Sequence, residues 1–96
     1  MKLRLDFDLD ALRAIEAHVA WLNERSPRAA QHFRDELFHV LDLVAEGLFD
    51  GPSVRLPSGD PARRLVVKPL LVYYQRQPEV LRVAFVRDAR QRPLDR

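Results

Sequence analysis

The dipeptide Ser26-Pro27 constrains this chain more than any other feature of its sequence. Serine suits a helix N-cap, where its hydroxyl accepts a hydrogen bond from an orphan backbone N–H. Proline suits the first helical position, because the N–H it lacks would go unpaired there and its φ is already helical. A helix therefore starts at Pro27. Upstream, from Ala11 to about Glu24, Leu12, Ile15, Val19 and Leu22 fall on one side of a 3.6-residue wheel, with Ala14, Ala17 and Trp21 on another. Asp8 or Asp10 can cap that first helix. Downstream, Ala30, Phe33, Leu37, Leu41, Val44 and Leu48 form one stripe on a helix that runs to about Glu46, with Gly47 as its stop. So short a connection forces the two helices into an antiparallel hairpin. At 1.5 Å per residue the second helix is roughly 30 Å long, enough to cross a small sheet.

The flanking segments read as strands. Lys2 to Phe7 alternates, with Leu3, Leu5 and Phe7 on one face. Residues 49–61 (FDGPSVRLPSGDP) hold three prolines and two glycines and are expected to form a loop. Three strand-like runs follow: RRLVVK, LLVYYQR and VLRVAFV. The short gaps at Lys68-Pro69 and Gln77-Pro78-Glu79 imply hairpins and hence antiparallel pairing. The fold expected is α+β, β-α-α-β-β-β, one domain over residues 1–96, with an antiparallel sheet covered on one face by the N-terminal helical hairpin. Period-two alternation buries Leu65, Val67, Leu81, Val83 and Phe85 beneath the helices and turns Arg64, Lys68 and Arg82 to the other, open face. Tyr73 and Tyr74 alternate, so one is expected in the core and one exposed, in an order the pattern leaves open.

Charge is divided unevenly along the chain. Residues 1–60 carry seven Lys/Arg against eleven Asp/Glu, whereas residues 61–96 carry nine against three, so a net charge of only +2 conceals a basic C-terminal third. Such an imbalance suggests an acidic partner, either nucleic acid or a protein surface, although basic residues on strand edges also deter aggregation. The chain has no cysteine, which excludes disulfides and thiolate metal sites. The opening MKLRLDFDLD lacks the apolar core of a signal peptide, and no apolar run approaches the ~20 residues of a membrane helix. A soluble, intracellular protein with no membrane association is expected.

These segments, taken in order, resemble the RelE/ParE superfamily of bacterial toxins, and the ParE branch more closely. The resemblance is carried by Leu22-Asn23-Glu24-Arg25-Ser26-Pro27 with Ala29-Ala30 and Phe33, by Arg63-Arg64-Leu65-Val66-Val67 before Leu71-Val72-Tyr73-Tyr74, and by Val83-Ala84-Phe85-Val86-Arg87-Asp88-Ala89-Arg90. It implies a cytoplasmic toxin of a type II toxin–antitoxin pair, neutralised by a co-encoded antitoxin in a hetero-oligomer. It also implies DNA gyrase as the target, or, for a RelE-like protein, the ribosome and its messenger RNA. Two features depart from the family pattern: Arg87 stands where a histidine is common, and residues 49–61 differ from the usual connection. The first leaves a further alternative, a toxin-derived domain that binds its partner without toxicity.

Cutting RNA needs a base, cations for the crowded phosphate and a proton for the leaving oxygen. Lys68, Arg64 and Arg82 can supply charge, Tyr73 or Tyr74 an acid, and Glu79 sits in an expected turn. Arginine stays protonated and is a poor proton shuttle. The set reads as incomplete, so no catalytic residues are assigned. Binding needs less, and Arg64, Lys68, Arg82, Arg87, Arg90 and Arg92 are the expected target-binding residues. Trp21, either a core residue or an interface anchor, and Tyr74 are the expected antitoxin contacts. His32, Asp35 and His39 share a helix face, but the His–x6–His spacing lacks the i, i+4 histidine pair of helical zinc sites, so neither a metal nor another cofactor is expected.

Overall fold

Two helices lie across one face of a five-stranded sheet in the computed structural model, which describes residues 2–90. The elements in order are β1 (Arg4–Phe7), α1 (Leu9–Arg25), α2 (Pro27–Ala45), β2 (Ser53–Arg55), β3 (Pro61–Val67), β4 (Leu70–Arg76) and β5 (Val80–Asp88). The strands are arranged β1-β5-β4-β3-β2. Extents of 38 × 37 × 21 Å fit a slab of two layers, one sheet and one pair of helices.

The cap at Ser26 forms as expected. Its hydroxyl accepts from Ala29 N–H at 3.2 Å, Pro27 opens α2, and the helix buries Ala30, Phe33, Leu37, Leu41, Val44 and Ala45. Gly47, at φ +80°, ends it: Gly47 N–H reaches the Val44 carbonyl and Leu48 N–H the Leu43 carbonyl, a Schellman closure. Leu48 therefore leaves the helical stripe and is 71% exposed. Asp8 precedes α1, but its carboxylate makes no capping bond, because it is held by Arg82 on β5 instead.

The sheet is mixed, not purely antiparallel. β1 runs parallel to β5, pairing Arg4 with Val80 and Phe7 with Val83. A long crossover, here the helical hairpin and the three strands after it, permits a parallel neighbour that no short turn could make. Part of the proline-rich loop also pairs, as β2, with the start of β3. The largest correction concerns Phe85. A register irregularity between Tyr73 and Tyr74 sets Tyr74 opposite Val83 but Tyr73 opposite Phe85, so β5 has one extra residue, Ala84. Beyond that bulge the alternation inverts. Val86 joins the core, while Phe85 turns to the outer face against Tyr73, ring centroids 5.4 Å apart. The core itself comprises Leu37, Leu41, Val44, Leu65, Val67, Val72, Leu81 and Val83, with Ile15 and Ala11 from α1. Lys68 lies in the β3–β4 turn, not on the strand face.

Candidate functional site

Each sheet residue's face follows from its register. On the outer face, Arg64 sits opposite Tyr73, Tyr73 opposite Phe85, Gln75 opposite Arg82, and Leu71 opposite Arg87. The result is an apolar and aromatic centre bordered by arginines. Arg82 is already engaged: its guanidinium donates to both Asp8 carboxylate oxygens and, at 2.8 Å, to Gln75 Oε1. That bond to Asp8 holds Arg82 above its ordinary value, so its charge is partnered within the fold. Arg64 Nε is buried with no hydrogen-bond partner among the described residues.

Neither tyrosine is exposed. Tyr73 is 8% accessible beneath the outer-face side chains, and Tyr74 is fully buried on the helix side. Tyr74, expected at a partner interface, therefore has no surface to offer. Its hydroxyl accepts from Gly51 N–H at 2.8 Å and donates to the Asp50 carboxylate. Burial, then the Asp50 hydrogen bond, pushes the phenol up to about 12. Asp50 also pairs with Arg63 at 3.3 Å and Arg76 at 3.5 Å, while Arg76 donates to the Val44 carbonyl at the end of α2. Gly51 is wedged against the Arg64 carbonyl, which a Cβ would meet at 1.9 Å. This cluster ties the chain after α2 to β3 and β4. Sequence reasoning missed Asp50 because nothing local marks a carboxylate whose partner lies two strands away.

Lys68, Arg87 and Arg90 gather at the end of the sheet where the second half of α1 passes the β3–β4 turn. Arg87 and Arg90 line a cavity of about 350 Å³ with His18 and Trp21. Lys68 and Arg90 line an adjoining one of about 340 Å³ with Trp21, Leu22, Ala29, Phe33 and Pro69. Arg90 makes two bonds to the Asp88 carboxylate, at 2.9 and 2.6 Å, which hold that carboxyl down at about 2. His18 packs edge-on against Phe33 at 4.8 Å. Burial first, and then Arg90, hold its imidazole below the ordinary value, with Asp88 opposing. Trp21 is 43% exposed, which puts it at the surface and not beside β1 in the core. The expected target-binding residues thus split into an outer-face pair, Arg64 and Arg82, and an end cluster, Lys68, Arg87 and Arg90. Arg92 lies outside the described residues.

Among the described residues, no three or more His, Asp or Glu side chains are grouped to hold a metal ion, and no helix is long and apolar enough to cross a membrane. Around the sheet end, the surface combines the cations Lys68, Arg87 and Arg90 with Trp21, apolar side chains and the carboxylates Asp88 and Glu36. A family model described as ParE toxin of type II toxin-antitoxin system, parDE, matches residues 5–93. A search of curated proteins finds no match.

Proposed function

The chain belongs to the ParE family of type II toxin–antitoxin toxins, and on that premise we propose that it arrests growth by binding DNA gyrase and is held inactive by a cognate antitoxin. The burial of both tyrosines carries the preference for binding over RNA cleavage. A general acid must reach the leaving oxygen, within about 3 Å or through one water. Tyr74 is instead committed to Asp50 and Gly51, with its phenol raised to about 12. The arginines that remain can hold phosphate or carboxylate but cannot relay a proton at neutral pH. Inhibition by binding asks only for a complementary surface, which the cations at the sheet end and along the outer face can provide.

Regulated expression in a bacterium, followed by growth and a DNA-damage reporter, tests the proposal. Growth arrest with reporter induction is expected, because a trapped gyrase leaves broken DNA. Arrest with a silent reporter and cleaved messenger RNA would replace this reading with a ribosome-directed nuclease. Unimpaired growth would leave a partner-binding chain without toxicity.

A further inference from the structure

We infer that the cleft around Trp21 is the anchor point for a segment of the antitoxin that carries apolar and acidic side chains together; this rests on the reading above, which supplies an antitoxin as partner. Trp21 is exposed yet held in place. The Arg25 guanidinium carbon lies 3.8 Å from the ring centre, and the same side chain donates to the Trp21 carbonyl at 2.9 Å. On α1 one turn earlier, His18 stacks with it, centroids 5.9 Å apart and planes 15° from parallel. An aromatic already fixed in its rotamer loses little entropy when a partner covers it.

The surroundings define what fits. The two cavities share His18, Trp21 and Arg90, so they adjoin around Trp21. One has an apolar floor of Leu22, Ala29, Phe33 and Pro69 with Lys68 and Arg90 beside it. Cations Lys68, Arg87 and Arg90 outnumber the carboxylates Asp88 and Glu36, and Asp88 is bonded to Arg90. An apolar side chain on that floor, with a neighbouring carboxylate reaching Lys68 or Arg90, satisfies both. A nucleic-acid strand fits less well, because it brings a charge at every phosphate past Asp88 and Glu36. A peptide can set one carboxylate at Lys68 or Arg90 and an apolar side chain on Leu22, Ala29, Phe33 and Pro69, although His18 and His32 also line the cleft. A large aromatic in a pocket ringed by arginine is also the usual composition of an interface hot spot.

The test uses the full chain and the purified antitoxin encoded in the adjacent reading frame, with affinity measured by calorimetry. Trp21→Ala and, separately, Lys68→Glu should each weaken binding by about 30-fold or more with an unchanged circular dichroism spectrum. Lys68 is an exposed turn residue, so its variant keeps the test decisive should Trp21→Ala fold poorly. Affinities within threefold of the parent protein in the folded variants would overturn the inference, as would no binding by the parent protein. A variant that loses growth arrest yet binds antitoxin normally would assign the cleft to the target and overturn it too. Growth arrest by the parent protein expressed alone is the separate readout for the toxin reading. Its absence with antitoxin binding weakened by both variants would sink that reading and leave the cleft assignment standing.

Discussion

At the residue scale, the decisive contacts join distant parts of the chain through single polar atoms. Tyr74 illustrates this: removing its hydroxyl leaves Gly51 N–H and one Asp50 oxygen without their partner. Tyr74→Phe is expected to destabilise the fold by about 1–3 kcal/mol, the penalty for stranding a buried donor, as read from urea unfolding. His18 gives a pH dependence whose sign follows from its environment. Its folded pKa is held below the ordinary 6.5, so as pH falls below that value the unfolded chain takes up a proton that the folded chain resists. Stability is therefore fully present above about 6.5 and declines on acidification. The melting temperature should fall between pH 7.5 and 5.5, and His18→Gln should flatten that dependence; an unchanged slope would contradict it. Of these residues the sequence disclosed little. The alternation marked Tyr73 and Tyr74 as opposite-facing, and they are, but it could not show that Arg64, Phe85 and their neighbours close over Tyr73 as well.

At the element scale, local signals were legible wherever the cause was local. Ser26-Pro27 sets both the end of α1 and the start of α2, and Gly47 ends α2 through a positive φ. Ser26→Ala should cost about 1 kcal/mol, within the usual range for a lost N-cap, again by chemical denaturation. An unaffected midpoint would mean that Pro27 and tertiary packing alone position the helix. Period-two reasoning placed Leu65, Val67, Leu81 and Val83 in the core, and all four are there. It failed at Phe85 because a bulge adds one residue to β5, and a one-residue shift exchanges the two faces. It also missed β2, a three-residue strand whose pairing depends on β3 and not on its own composition. The parallel seat of β1 beside β5 is equally non-local, set by a crossover longer than any turn signal.

At the scale of the whole molecule, the basic C-terminal third becomes a place. The sequence imbalance resolves into an outer sheet face carrying Arg64 and Arg82 and an end cluster of Lys68, Arg87 and Arg90 beside Trp21. Which cations are already satisfied was illegible in the sequence, because Asp8 and Arg82 meet only once β1 and β5 are adjacent. Surface cations steer association through a field that salt screens within about 10 Å at 0.1 M. Association with an acidic partner should therefore slow as salt rises, which stopped-flow mixing would detect. The chain belongs to the ParE toxin family, and the burial of both tyrosines supports the proposal that it acts by binding. The most direct measurement is DNA supercoiling by purified gyrase in the presence of the purified chain. Dose-dependent loss of supercoiling with accumulation of cleaved DNA, relieved by the antitoxin, is the predicted result. Full gyrase activity at saturating protein, alongside cleavage of messenger RNA on translating ribosomes, would contradict it.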